Sequence, residues 1–252
     1  MVGSAARHRR NSRDGGDRVT IYLSGGGDVP LADFIADAAR SSERRGADVP
    51  RIAVIYTGRA TRQTAPDDVA QALAREGSCE PVIREYGATD EAALTDLVDI
   101  DALYVSGGDA REYLRALRPI VGEIRRRVAD GTPYFGTSAG ALIAADKALV
   151  AGHSIGGIAV APDTIGAGAS ELEIAEGIGL VDITIDVHAA QWGTISRLIA
   201  ATEAGLVDGG VAIDEGTALV VTDGGLEVHG AGSMWQVMPG EHGVTVATAA
   251  AS

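Results

Sequence analysis

The stretch Tyr134-Phe135-Gly136-Thr137-Ser138-Ala139-Gly140-Ala141 joins a short apolar run to a segment of helix-forming residues that continues to Ala145. Ser138 has glycines two positions before and after it, the G-x-S-x-G pattern of a nucleophile elbow. In such a strand-to-helix turn the backbone leaves no room for a Cβ atom, and the serine hydroxyl is held out of the sheet. The pattern therefore predicts a nucleophilic serine, with a junction of small residues as the plain alternative.

Strand and helix patterns alternate on the N-terminal side of this turn. Apolar runs predict strands at residues 19–23, 51–56, 81–85 and 102–105, and periodic patterns predict helices near 31–45, 67–76, 90–98, 110–117 and 120–129. Continuous apolar strands separated by helices are typical of a mostly parallel sheet with helices on both faces. Ligands bind such sheets at the carboxyl ends of the strands.

The C-terminal side of the turn has a different character. A glycine-rich loop is predicted over residues 152–179, flanked by a strand near 148–151 and containing a helical turn near 171–176. A strand at 181–187 and a helix at 189–204 follow, and then β segments at 206–213, 217–222, 226–230 and 234–238. Without an evident linker, we expect one α/β domain over residues 18–246, between a disordered basic tail at 1–17 and a short tail at 247–252.

Charge and composition exclude several classes of function. The formal net charge is −14, and the first 18 residues carry +3 (five Arg against two Asp), which leaves −17 for the rest of the chain. Such a body repels nucleic acid and anionic membranes. One cysteine, Cys79, rules out an intrachain disulfide. With no signal peptide and no apolar run of about 18–20 residues, we expect a cytoplasmic protein.

No cofactor motif stands out. Lys147 is the only lysine and does not follow a phosphate-binding loop, and Gly25-Gly26-Gly27 lacks the spacing of a dinucleotide fingerprint. The histidines and acids show no metal-ligand spacing. We therefore expect neither a cofactor nor a metal.

Three glycine turns follow predicted strands, at residues 25–27, 107–108 and 136–140, and should converge on one sheet edge. A nucleophilic serine needs a base and an acid that orients the base. His188 follows the strand that ends in Asp186-Val187, and Glu215 follows another apolar strand. Either residue alone would more often be a cap or a solvated side chain; the set of three is what indicates catalysis. The order Ser, His, acid differs from the order Ser, acid, His of α/β-hydrolases.

Five motifs together resemble the dipeptidase E and cyanophycinase family of serine peptidases. They are Ser-Gly-Gly-Gly-Asp (24–28), Val-Ser-Gly-Gly-Asp (105–109), Gly-Thr-Ser-Ala-Gly-Ala (136–141), Gly-Leu-Val-Asp-Ile-Thr-Ile-Asp-Val-His (179–188) and Ala-Ile-Asp-Glu-Gly-Thr-Ala-Leu-Val-Val (212–221). The resemblance covers about residues 19–230. It implies the class I glutamine amidotransferase-like fold, a flavodoxin-like three-layer sandwich, here with extra β segments near the C-terminus.

The resemblance also implies roles for individual residues. Ser138 would be the nucleophile, His188 the base, and Glu215 the acid, as in the cyanophycinase branch. In the dipeptidase branch an earlier Asp orients the histidine, and Asp146 would be the nearest candidate. The backbone N–H groups of Gly108 and Ala139 would form the oxyanion hole.

Residues expected at the substrate are Asp109 of the Gly-Gly-Asp motif and Trp192 as an apolar wall, with a core position as the alternative for this aromatic. The resemblance implies that Arg197 grips a substrate carboxylate. For Arg197 an exposed helix charge is the alternative. Val187 and Ala110 depart from the glutamines that cyanophycinases carry at these positions, which argues against cyanophycin itself as the substrate.

The leading hypothesis is a serine-type hydrolase that cleaves a small peptide or isopeptide, with an acidic side on the substrate. An amidotransferase-like domain would need a cysteine at the elbow. A non-catalytic binding domain on the same scaffold is the third hypothesis, since a fold does not fix a function. The sequence leaves a homodimer open.

Overall fold

A computed structural model describes residues 19–58, 65–163 and 169–251. Its strands are β1 Thr20–Ser24, β2 Arg51–Thr57, β3 Glu80–Tyr86, β4 Ala102–Val105, β5 Tyr134–Thr137, β6 Lys147–Ala151, β7 Ser154–Ile155, β8 Ile158–Ala159, β9 Glu173–Glu176, β10 Thr184–Val187, β11 Gly210–Ile213, β12 Thr217–Thr222, β13 Gly225–Gly230, β14 Ser233–Gly240 and β15 Gly243–Ala250. Its helices are α1 Ala32–Arg45, α2 Pro66–Glu76, α3 Ala110–Leu117, α4 Val121–Ala129, α5 Ala139–Leu142, α6 Ala189–Trp192 and α7 Ile195–Glu203.

The main sheet has seven strands in the order β13-β12-β1-β5-β4-β2-β3. The five strands from β1 to β3 in this order are parallel, and β12 and β13 add an antiparallel edge. This confirms the predicted α/β class with extra β segments near the C-terminus. The carboxyl ends of β1, β4 and β5 lie side by side, so the three glycine turns meet at one edge.

Helices cover both faces of this sheet, which gives the predicted three layers. On one face α1 and α2 pack through Phe34, Ile35 and Leu73 against strand residues such as Val54 and Phe135. On the other face the side chains of α3 and α4 join a larger core with the alternate strand residues. Because the parallel strands are buried on both faces, their sequences read as continuous apolar runs.

A second sheet of four strands, in the order β10-β11-β14-β15, lies beside the main one. One of its faces contributes Ile185, Val187 and Val211 to the larger core. Helix α7 covers the other face, where Leu198 and Val237 share a small cluster. The second sheet thus brings the end of β10 toward the main sheet. In the part of the chain that the structure describes, no helix is long and apolar enough to cross a membrane.

The prediction of a helix at residues 90–98 is wrong. Only a short 3-10 helix, Leu94–Leu97, forms there. The carboxylate of Asp90 accepts the N–H of Gly87 at 2.8 Å, and that of Asp96 accepts the N–H of Ala93 at 2.9 Å. Aspartate side chains that bond nearby backbone in this way compete with helix formation.

Two other predictions for the second half need correction. The expected helix at 189–204 is two helices, because Gly193 adopts a left-handed conformation (φ 71°) between α6 and α7. The expected helical turn at 171–176 contains strand β9, which pairs antiparallel with β6. The long-range partner of β9 decides its conformation, and a local pattern does not reveal that partner.

At the C-terminus the expected tail at 247–252 is largely a strand. Residues up to Ala250 belong to β15, which pairs with β14 from Ser233 to Gly240. The predicted tail at 1–17 lies outside the described residues.

Candidate active site

Ser138 stands at the end of β5 with φ 53° and ψ −113°, a strained conformation for a residue with a side chain. The flanking glycines are required by close packing. A Cβ atom at Gly136 would overlap the carbonyl oxygen of Gly140 and lie 2.8 Å from the amide nitrogen of Ala141. A Cβ at Gly140 would overlap the carbonyl of Val105 in the neighbouring strand. The local geometry is that of the elbow predicted from the sequence.

The helix behind Ser138 is shorter than its sequence indicates. α5 ends at Leu142, although helix-forming residues continue to Ala145. The carbonyls of residues 143–145 accept N–H groups from residues 178–181 instead, for example Ile143 from Ile178 and Ala145 from Gly179. One helical turn has little macrodipole, so any stabilisation of an oxyanion here must come from individual N–H groups.

His188 follows β10 and faces Ser138 across the junction of the two sheets. The Ser138 Oγ and the His188 Nε2 are 2.9 Å apart, and the His188 Nδ1 and the Glu215 Oε1 are 2.8 Å apart. Because a carboxylate only accepts hydrogen bonds, Nδ1 carries the proton and Nε2 is left to accept the serine hydroxyl. The structure thus brings together all three residues of the predicted set, Ser138, His188 and Glu215.

Backbone strain is concentrated in these residues. Among the described residues other than glycine, only Asp99, Ser138 and His188 have a positive φ. Two of the three belong to the site, with φ 57° and ψ 36° at His188. Strained conformations persist where the surrounding structure enforces them, and they are enriched at functional sites.

Burial lowers the pKa of the His188 imidazole below its ordinary value of 6.5, because the charged form loses water. The hydrogen bond and the charge of Glu215 oppose this effect but do not cancel it. His188 is only 7 % exposed. At neutral pH the imidazole is therefore neutral, the state in which it can accept a proton from Ser138.

Two reciprocal hydrogen bonds tie the histidine segment to the glutamate segment. The N–H of Ala190 donates to Asp214 Oδ1 at 3.0 Å, and the N–H of Glu215 donates to Gln191 Oε1 at 2.8 Å. The Asp214 carboxylate is buried and also accepts the indole N–H of Trp235 at 2.9 Å. Asp214 and Gln191 were not predicted as site residues, and their only signal in the sequence was their position beside the predicted base and acid.

The site opens into a cavity of about 1150 Å³. Gly108 and Ala139, the expected oxyanion donors, both line it, and so do Asp109 and Trp192. Asp109 also caps α3, where its carboxylate accepts the N–H of Arg111 at 2.9 Å and pairs with the Arg111 guanidinium at 2.8 Å. Part of its bonding capacity is therefore used within the protein.

Carboxylates dominate the charge around this cavity. Among the described lining residues five are acidic and one is a basic arginine, the set being Asp28, Asp68, Asp109, Glu112, Glu215 and Arg75. Glu215 is bonded to His188 and Asp109 to Arg111. The excess of carboxylates does not favour a substrate with an acidic side, which was the expectation from the sequence.

The expectation that Arg197 grips a substrate is wrong for this structure. Arg197 is fully buried, and its guanidinium donates to both carboxylate oxygens of Asp186, at 2.8 and 2.7 Å. A third bond, of 3.2 Å, goes to the carbonyl of Gly152. With its donors used inside the protein and no place in the cavity wall, Arg197 supports the end of β10 instead.

Asp146, the other candidate acid, does not contact His188. It lines a separate cavity of about 340 Å³ beside Lys147 and Asp182. The residue that bonds the imidazole is Glu215.

As for a metal, the described ranges contain no group of three or more His, Cys, Asp or Glu side chains arranged to hold one.

Comparison with known proteins adds a family and a fold. The model of Peptidase family S51 matches residues 21–229. The cyanophycinases of Synechococcus elongatus and Thermosynechococcus vestitus are each 32% identical over 157 residues, which is 60% of this chain and 46% of theirs. That of Trichormus variabilis is 34% identical over 144 residues, or 55% of this chain and 45% of its own. The matched part spans about half the length of these relatives.

Two solved structures share the fold. A peptidase from an acI-B1 Actinobacterium has a TM-score of 0.60 at 19% identity, covering 94% of this chain and 96% of its own. A putative peptidase E protein from Listeria monocytogenes has a TM-score of 0.55 at 19% identity, covering 84% and 98%.

Proposed function

This chain belongs to Peptidase family S51, the dipeptidase E and cyanophycinase family of serine peptidases, and we propose that it hydrolyses a peptide or isopeptide bond of a small peptide through an acyl-enzyme on Ser138. The observation that carries the proposal is the continuous line of hydrogen bonds from the Ser138 hydroxyl through His188 to Glu215, of 2.9 and 2.8 Å. Ser138, His188 and Glu215 all line the cavity described above, and its volume is sufficient for a short peptide.

In the first step the Ser138 Oγ forms a bond to the substrate carbonyl carbon, and its proton passes to His188 Nε2. The resulting imidazolium is held by the Glu215 carboxylate at Nδ1. The carbon–nitrogen bond then breaks, and the proton on Nε2 leaves with the amine. The product of this step is an ester between the substrate acyl group and Ser138.

In the second step water attacks the ester carbonyl and gives a proton to His188 Nε2. The bond between the carbonyl carbon and Oγ breaks, and the proton returns to Ser138. In both steps negative charge develops on the carbonyl oxygen. We assign the N–H groups of Gly108 and Ala139 to this oxygen, because both residues line the cavity beside Ser138.

The Ser138→Ala variant and a fluorophosphonate probe test the proposal. In labelling, the Ser138 Oγ bonds to phosphorus, fluoride leaves, and His188 takes the hydroxyl proton. We expect the wild type to be labelled and the variant to remain unlabelled. Wild type that stays unlabelled, or a variant labelled equally, would contradict the proposal. A panel of dipeptides and β-aspartyl dipeptides, measured with both proteins, then identifies the substrate.

The two alternatives make different predictions in the same assays. A glutamine amidotransferase would use a cysteine, but Cys79 precedes β3, is absent from the lining of the cavity, and has a thiol pKa raised by burial. That shift disfavours the thiolate. A non-catalytic binding domain would bind a peptide of the panel without turnover and without labelling of Ser138.

A further inference from the structure

The first glycine turn and the serine before it, residues 24–27, bond to the three segments that carry Ser138, His188 and Glu215, although the proposed chemistry gives this turn no role. Three consecutive carbonyls of this turn accept N–H groups from three different site segments: Ser24 from Ser138 at 3.0 Å, Gly25 from His188 at 3.0 Å and Gly26 from Gly216, the neighbour of Glu215, at 2.7 Å. One short piece of backbone therefore holds the nucleophile, the base and the acid relative to one another.

Such a common reference matters because the site residues belong to different sheets. Ser138 follows β5 of the seven-stranded sheet, and His188 follows β10 of the four-stranded sheet. Glu215 lies between β11 of the second sheet and β12 of the first. Any shift between the sheets would change the distance from Ser138 to His188, and the turn at 24–27 bonds to the segments on both sides.

Gly26 is also in direct contact with the imidazole. A Cβ atom at this position, where φ is 106°, would overlap the Cε1 of His188 and lie 2.7 Å from its Nδ1. The turn itself is fixed by the buried Ser24, whose hydroxyl accepts the N–H of Gly26 at 3.1 Å. Position 26 therefore requires glycine, because the space that a Cβ atom would fill is occupied by the imidazole of His188.

We propose that residues 24–27 are the positioning element of the site and that Gly26 holds the His188 ring in line with the Ser138 hydroxyl. The proposal rests on the proposed function, since it assigns a part to that same reaction. Gly26 is a positioning residue, because it acts through the imidazole.

The test compares Gly26→Ala with the matched control Gly225→Ala. Gly225 also has a positive φ, 127°, but a Cβ there meets nothing within 4 Å, so this variant carries backbone strain without a collision. Displacing reacting groups by about 1 Å costs on the order of 100-fold in rate. We expect fluorophosphonate labelling of Gly26→Ala to slow by about that factor in its maximal rate, with little change in the half-saturating probe concentration, and labelling of Gly225→Ala to match wild type.

A second readout separates this proposal from the proposed function. The proton on His188 Nδ1 that bonds Glu215 should give a downfield NMR signal in wild type and Gly225→Ala and should shift or vanish in Gly26→Ala. If wild type is not labelled, the proposed function fails, and the NMR comparison alone decides the role of the turn. A folded Gly26→Ala protein with the wild-type signal overturns the proposal. Where the wild type is labelled, a Gly26→Ala labelling rate equal to that of Gly225→Ala overturns it as well.

Should Gly26→Ala fail to fold, Ser24→Ala decides. It removes the hydroxyl that accepts the Gly26 N–H and adds no atom. Slower labelling at an unchanged half-saturating concentration, together with a shifted His188 signal, supports the proposal; wild-type values for both overturn it.

Discussion

The indole ring of Trp192 lies flat on the imidazole of His188, with ring centroids 3.9 Å apart and planes 10° from parallel. Trp192 sits one helical turn after His188, and its backbone N–H donates to the backbone carbonyl of His188 at 2.9 Å. One side of the imidazole is thereby covered by an aromatic ring that lines the cavity and is 39% exposed to solvent. The stack limits rotation of the imidazole about its Cβ–Cγ bond.

The effect of replacing Trp192 should therefore depend on whether the new side chain still presents a flat ring to the imidazole. We expect Trp192→Phe to stay within about threefold of the wild-type labelling rate. Trp192→Ala should be labelled roughly tenfold more slowly or worse, because the imidazole of His188 can then rotate out of line with the Ser138 hydroxyl. Labelling kinetics with a fluorophosphonate measure both. Equal rates for Trp192→Ala and wild type would show that the stack does not position the base.

The pH dependence should follow the neutral form of His188. Burial lowers the pKa of this imidazole, so the rate rises with pH through a value below 6.5 and reaches its plateau by neutral pH. Glu215→Gln removes the largest influence that raises this pKa, while the charge of Asp186 remains, so the rising limb should move to lower pH. The plateau should fall by about 10²- to 10⁴-fold as Nδ1 loses its carboxylate. A limb centred above 6.5 in the wild type would contradict this assignment.

The buried ion pair of Arg197 and Asp186 should govern stability rather than substrate affinity. Arg197→Met leaves the Asp186 carboxylate buried without its partner, which should cost about 3–5 kcal/mol of unfolding free energy. Arg197→Lys should also destabilise, since an ammonium cannot make the two parallel bonds. Denaturant unfolding measures both. The double variant Asp186→Leu with Arg197→Met should recover much of the loss, because no unpaired charge remains.

The elbow and the main sheet were predictable because their signals are local. The glycines around Ser138 predict a tight turn, and the continuous apolar runs predict buried strands, from residues that are adjacent in the sequence. The predicted single helix at 189–204 was wrong for a local reason, the left-handed conformation of Gly193. The strand conformation of residues 173–176 depends on pairing with β6, which is distant in the sequence, and the predicted helical turn there was wrong. Arg197 shows the same limit, since nothing in the sequence around it reveals that its helix faces the buried Asp186.

The common contacts of the turn at 24–27 were equally hidden. Its glycines are visible in the sequence, but the room that Gly26 leaves for the imidazole of His188 appears only when two sheets are assembled. Convergence of strand ends predicted that Ser138, His188 and Glu215 could meet. It did not predict how Asp214 and Gln191 lock their segments together.

The charge around the cavity predicts which peptides are preferred. Because acidic residues outnumber basic ones among the described lining residues, a peptide with a cationic side chain should be cleaved faster than an acidic one of similar size. Glu112→Gln should reduce this preference by roughly three- to tenfold, which corresponds to about 1 kcal/mol, the interaction of two unit charges about 4 Å apart in water. Raising the salt concentration should reduce it as well.

The matched control is Glu123→Gln on α4, which removes an acid that does not line the cavity. Comparing kcat/KM for a cationic and an acidic dipeptide in the three proteins isolates the local charge from the net charge of the chain. If Glu123→Gln changes the preference as much as Glu112→Gln does, the selectivity comes from the overall negative field of the protein. If acidic peptides are cleaved faster by the wild type, the carboxylates around the cavity do not determine the substrate.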